Sequence, residues 1–146
     1  MTITYHQTDD LDACLAIRKT VFIDGQNVPA NEEVDGQDGI CDHYLAMDGD
    51  TPVGTCRVLP KGERLKIQRV AVLDSHRGLG IGRGLMHTVL REAPKHNKQA
   101  KEFILGAQVH AIPFYARLGF EEIGTRYMDA GIEHIDMITK IENQKV

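Results

Sequence analysis

Arg77-Gly78-Leu79-Gly80-Ile81-Gly82-Arg83-Gly84-Leu85 decides the fold of this chain. The apolar run Val70-Ala71-Val72-Leu73 leads into it, and Ile81, Leu85, Met86, Val89 and Leu90 recur behind it at helical spacing. The stretch therefore reads as strand, glycine-rich turn, helix. Closely spaced glycines let backbone N–H groups converge without Cβ obstruction. The start of the helix adds unpaired N–H groups and the positive end of a dipole. Together they form a seat for a pyrophosphate, with Arg77 and Arg83 placing cationic charge at its edge.

The spacing separates this loop from two other phosphate loops. G-x-G-x-x-G requires a third glycine five residues after the first. Counting from Gly78 that position is Arg83, and from Gly80 it is Leu85. A Walker loop ends in Gly-Lys-Ser/Thr, a triplet absent from this chain. What fits is R-x-x-G-x-G, carried by Arg77, Gly80 and Gly82. A ligand-free glycine turn is the plainer alternative.

The 146 residues suit a single domain spanning 1–146. With 42% hydrophobic and 26% charged residues, the composition is that of a soluble globular protein. A net charge of −4 argues against a nucleic-acid-binding surface. It does not argue against a local basic site for one small anion. Cys14, Cys41 and Cys56 are odd in number and show no metal-ligand spacing. They read as free thiols in a reducing cytoplasm, and no metal is expected. No apolar run is long enough for a membrane span, so a cytoplasmic location is expected.

The remaining elements follow in order. Residues 2–6 read as a strand. Thr8 is placed to cap a helix with apolar face Leu11, Cys14, Leu15, Ile17, Val21 and Phe22, ending near Gly25. Residues 24–41 read as a long loop with one helical turn near Asn31–Val34. Its acids Glu32, Glu33, Asp35 and Asp38 form either a solvated surface or a substrate-side wall that attracts an amine. Strands at 43–47, 53–59 and 65–73 form an antiparallel meander, and the polar pair Gln68-Arg69 in the third marks a face open to substrate. The helix from Gly80 is expected to stop at Ala93, before Pro94. Phe103–Val109 is nearly all apolar, as a buried parallel strand is. Pro113 opens a short helix closed by Gly119. Strands at 120–126 and 134–141 end the chain.

This element order, the R-x-x-G-x-G loop and Phe114-Tyr115-x-x-x-Gly119-Phe120 resemble the GNAT superfamily of N-acetyltransferases over essentially the whole chain. Arg18-x-x-Val21-Phe22, Gln26-Asn27-Val28-Pro29, Glu33-Val34-Asp35-Gly36, Ala107-Gln108 and Ala130-Gly131-Ile132-x-His134-x-x-Met137 narrow the resemblance to the ElaA/YjcF-like branch. The resemblance implies an α/β (α+β) fold. A mixed, mostly antiparallel sheet of about seven strands is flanked by helices, and a bulge splays one parallel strand pair.

It also implies direct transfer of an acetyl group from acetyl-CoA to an amine on a small molecule or a protein. The terminal strands, as read from the sequence, leave a sheet edge able to pair in a homodimer. Contacts to acetyl-CoA are then expected from Val70, Ala71, Val72, Arg77, Gly78, Gly80, Ile81, Gly82, Arg83, Gln108, Phe114 and Tyr115. The Tyr115 hydroxyl would protonate the leaving thiolate. Glu33, Asp35 and His110 are candidate bases for the amine; Glu33 and His110 also have plainer readings, as a loop brace and a strand-end histidine. A non-catalytic acyl-CoA-binding module is the alternative function.

Overall fold

Alternating burial along the strands divides the core between the two faces of one sheet. A computed structural model describes residues 2–144. The strands are β1 (Ile3–Thr8), β2 (Asp42–Asp48), β3 (Thr51–Lys61), β4 (Arg64–Val72), β5 (Glu102–Gln108), β6 (Glu121–Asp129) and β7 (Ile132–Lys140). They form a seven-stranded sheet in the order β1-β2-β3-β4-β5-β7-β6. The β4–β5 pair is parallel, and the other neighbouring pairs are antiparallel. The expected architecture is thus present. The last strand does not lie at the sheet edge, however. β7 inserts between β5 and β6, which leaves β1 and β6 as edges.

Tyr44 and Ala46 of β2 face the cluster built on helix α3 (Ile81–His96), while Leu45 between them faces helix α1 (Leu11–Arg18). α3 buries Ile81, Leu85, Met86, Val89, Leu90 and Ala93 against the sheet. Complete burial of a side chain such as Leu85 contributes about 1.5–3 kcal/mol over exposure. Cys14, Ile17 and Val21 cover the opposite face together with Leu45 and Ala71. All three cysteines are free, with Cys14 and Cys56 buried among apolar side chains.

Three local expectations are corrected. Thr8 ends β1, and the helix cap is Asp10, whose Oδ1 accepts from Ala13 N–H at 3.1 Å. α1 does not run on as regular helix. It passes into a π-wound segment, Lys19–Asp24, where the Thr20 hydroxyl donates to the Ala16 carbonyl at 3.2 Å. Pro94 does not stop α3, which continues to His96. So close to the helix end, proline removes a single backbone bond. Asn97 closes the end, its side-chain amide donating to Ala93 O at 3.0 Å and its backbone N–H to Pro94 O.

The feature that creates a site is a bulge in β4. Thr55 of β3 pairs with Ala71, but Arg57 pairs with Gln68, so β4 carries one extra residue between these rungs. Arg69 sits there in the left-handed region at φ 56°. Such a conformation costs a non-glycine residue about 1–2 kcal/mol and persists because the surroundings hold it. On the other side of β4, pairing with β5 runs from Arg64–Glu102 to Ile67–Leu105 and stops. Beyond that rung the two parallel strands diverge.

Candidate active site

The glycine loop follows Arg77, which lines one end of the resulting cleft. Gly78 and Gly80 lie at φ 75° and 78°, and Gly80 caps α3. The first-turn amides of α3 have no intrahelical acceptor; the first bond back to the cap is Gly84 N–H to Gly80 O at 3.0 Å. Ile81 is 1% exposed, so its side chain belongs to the core and offers no surface to a ligand. A Cβ at Gly82 would come within 3.5 Å of the Phe114 ring, which places α4 (Ile112–Ala116) over the loop. Gly84 serves packing instead, because the Tyr5 ring occupies the space its Cβ would fill. Arg77 is exposed, its Nε 3.0 Å from Asp74 Oδ1. Arg83 is exposed beside His87.

From this end a cleft of about 760 Å³ follows the divergence of β4 and β5. Val70, Ala71, Val72, Arg77, Gln108, Phe114 and Tyr115 all line it, as do Glu33 and His110. Gly78, Gly80, Ile81, Gly82 and Arg83 are not part of its lining; they continue the chain from Arg77 at its end. Tyr115 is half-buried and packs edge-on against Phe114 and Phe120, at centroid distances of 5.0 and 6.0 Å. Burial pushes its phenol well above the ordinary value, so the hydroxyl keeps its proton at neutral pH.

The acidic loop is not an open anionic wall. Glu33, on α2 (Ala30–Glu33), is 2% exposed. Its carboxylate is engaged by Arg18 Nε at 3.0 Å and Arg69 Nε at 2.6 Å. Asp38 accepts from Arg18 and Arg57, and Asp35 from Arg57 and Arg69. Three arginines thus neutralise three carboxylates. The Arg57 guanidinium holds Asp35 well below the usual carboxylate range. Burial raises Asp38, but its bonds to Arg18 and Arg57 outweigh that and leave it lowered. The strained Arg69 also donates to the Glu32 and Glu33 carbonyls, which ties α2 over the bulge. A free carboxylate at Glu33, as a base requires, is therefore not what the structure provides.

His110 lies exposed in the turn after β5, its Nε2–H donating to Gln108 Oε1 at 2.7 Å. Gln108 in turn donates to Gln26 Oε1 at 3.0 Å, which joins the end of the π-wound segment to β5. Tyr127, His134 and Asp136 also line the cleft, and no site motif in the sequence marks them. His134 belongs to one of the segments that carry the branch resemblance. Tyr127 and Asp136 give no sequence signal, because only the β6–β7 register brings them together.

A family model for the acetyltransferase (GNAT) domain matches residues 19–141. The chain belongs to the GNAT acetyltransferase family. Its relatives within that family include an uncharacterized N-acetyltransferase, YjcF, of Bacillus subtilis (strain 168), 37% identical over 131 residues that span 89% of this chain and 92% of the relative. The crystal structure of Escherichia coli ElaA is 32% identical and superposes with a TM-score of 0.81 over 94% of this GNAT chain and 99% of ElaA. These two relatives bear out the branch that the sequence motifs pointed to. A GNAT acetyltransferase from Elizabethkingia anophelis with acetyl-CoA bound shares the fold, with a TM-score of 0.70 at 20% identity over 94% of this chain and 97% of that one. Among the described residues no group of side chains could hold a metal ion, and no helix is long and apolar enough to cross a membrane.

Proposed function

We propose that this protein transfers an acetyl group from acetyl-CoA directly to an amine within the β4–β5 cleft. The observation that carries this reading is that the chain runs from the divergence of β4 and β5 through Arg77, on the cleft lining, directly into the left-handed Gly78–Gly80 loop. The cleft is anion-accepting at that end and strand-like along its length. The first-turn amides of α3, with Arg77 and Arg83, receive the pyrophosphate. Val70, Ala71 and Val72 offer their backbone to the pantetheine arm as a further strand would, opposite Gln108 and Phe114. An amide near Val70 polarises the thioester carbonyl where charge develops.

Tyr115 protonates the departing sulfur. A base on the cleft lining takes the amine proton; the sequence candidate His110 is exposed there and bonded through Nε2–H to Gln108. Glu33 braces the wall through Arg18 and Arg69. The acceptor is an amine on a small molecule or a protein.

The test is thiol release from acetyl-CoA in the presence of a panel of primary amines, with calorimetry against acetyl-CoA, ATP and NAD. Acetyl-CoA binding and amine-dependent thiol release are expected. Acetyl-CoA binding without release on any amine would overturn catalysis in favour of a binding module. Preference for ATP or NAD would overturn the site.

A further inference from the structure

The wall of the cleft opposite the acidic loop carries a second constellation. His134 and Asp136 of β7 alternate with the buried Ile135 and Met137, so both project from the face that lines the cleft. Two residues apart on a strand, they lie about 6.6 Å from each other along the chain, a span suited to one ammonium group. Tyr127 of β6 links them. Its hydroxyl donates to Asp136 Oδ1, and its ring stacks on the His134 imidazole at 5.9 Å and 19°. Room for Tyr127 comes from Gly106 of β5, where a Cβ would stand 2.5 Å from the tyrosine hydroxyl.

His134 is also oriented. Its Nδ1–H donates to the Ile132 carbonyl at 2.7 Å, which fixes the tautomer and leaves the Nε2 lone pair available. Its β5 partner is Gln108, at the end of that strand where the divergence from β4 is open. His110, by contrast, is exposed and held by a side-chain amide.

Charge adds a second argument. With the loop carboxylates cancelled by arginines, the charges left on the acceptor side among the described lining residues are Glu32, Asp129 and Asp136 against Lys66. That excess favours a cation.

We infer that His134 is the group that takes the proton from the acceptor, that Asp136 draws the acceptor to it, and that the acceptor is a cationic alkylamine. The inference rests on the acetyl-transfer reading. One proton of the ammonium passes to Nε2 of His134, and Asp136 stabilises the imidazolium so formed. The freed nitrogen lone pair attacks the acetyl carbon. Collapse of the tetrahedral intermediate breaks the C–S bond, and the sulfur takes a proton from Tyr115. The second nitrogen proton leaves to water, and Tyr115 and His134 re-equilibrate with solvent. The products are the N-acetylated amine and CoA. Tyr127 is a positioning residue for both side chains.

The experiment is steady-state kinetics with acetyl-CoA and a panel of alkylamines and polyamines. His134→Asn keeps a donor for the Ile132 carbonyl but has no atom in place of Nε2. It is expected to lower kcat by about 10²–10⁴-fold while calorimetry finds unchanged acetyl-CoA affinity. Imidazole in the buffer is expected to restore part of the rate to His134→Ala, which a purely structural role would not allow. Asp136→Asn is expected to raise KM for the amine.

Wild-type kcat in His134→Asn, or failure of imidazole to rescue His134→Ala, would overturn the assignment. A wild-type protein that turns over no amine of the panel would overturn the acetyl-transfer reading itself.

Discussion

Arg57 Nη2 meets Asp35 Oδ2 at 2.6 Å, with the arginine 1% exposed. Through this pair and a second one to Asp38 at 2.9 Å, β3 holds the loop that forms one wall of the cleft. Removing one partner of a buried pair leaves an uncompensated charge, at a cost of about 3–5 kcal/mol. Arg57→Met is accordingly expected to lower the urea unfolding free energy by about that amount. A variant as stable as the parent would show that the network contributes nothing.

The same network fixes the direction of a pH effect. Asp35 and Asp38 both titrate below their ordinary value in the folded protein. A carboxylate lowered by folding adds stability that is complete above its unfolded pKa, near ~3.9, and is lost as pH falls toward the folded value. Urea midpoints should therefore fall below about pH 4 as these groups take up protons. Asp35→Asn should flatten that decline. An equally steep acid limb in Asp35→Asn would remove Asp35 from the account.

What the sequence makes legible depends on how local the determinants are. The strand–loop–helix at Arg77–Leu85 was legible because all its parts are neighbours in sequence. The meander of β2, β3 and β4 was legible for the same reason. The loop acids were visible, but their partners lie 15, 22 and 36 positions away, from Arg18 to Glu33, Arg57 to Asp35 and Arg69 to Glu33. The sequence leaves these acids as either a solvated surface or an amine-attracting wall, and the fold builds a neutral brace instead. Tyr127 meets Asp136 across a stretch of β6 that carries extra residues between Ile123 and Tyr127, a register no spacing rule predicts. Insertion of β7 beside β5 was likewise a tertiary outcome.

The glycines of the loop divide into two kinds, and substitution separates them. Gly82→Val would push a branched side chain toward Phe114 and over the first-turn amides of α3. Loss of a charge-assisted bond to a phosphate costs about 1.5–3 kcal/mol, so acetyl-CoA affinity should fall by roughly 10- to 150-fold in a folded protein. Gly84→Ala instead meets the Tyr5 ring. It should destabilise by about 1–3 kcal/mol through overpacking, with acetyl-CoA affinity unchanged. Calorimetry and thermal unfolding on both variants decide between them; equal affinity losses would show that the helix start is not the phosphate seat.

Tyr115 offers a test of the leaving-group step. When the tetrahedral intermediate collapses, sulfur departs as a thiolate. A model thiol titrates near ~8.5, so it can leave without help at neutral pH, though less readily than when a donor meets it. Burial raises the Tyr115 phenol, which keeps the donor protonated across the neutral range. The gain from such a donor is moderate, on the order of 10²-fold in kcat. Tyr115→Phe deletes the hydroxyl and keeps the ring, so the edge-on contacts with Phe114 and Phe120 survive. Stability and acetyl-CoA affinity should then match the parent while kcat falls by about two orders of magnitude. The fall should be smaller with an acyl donor whose thiol is more acidic, because a better leaving group needs the proton less. Parental kcat in Tyr115→Phe would return this residue to the packing of α4. So would a loss of the same size for every leaving group.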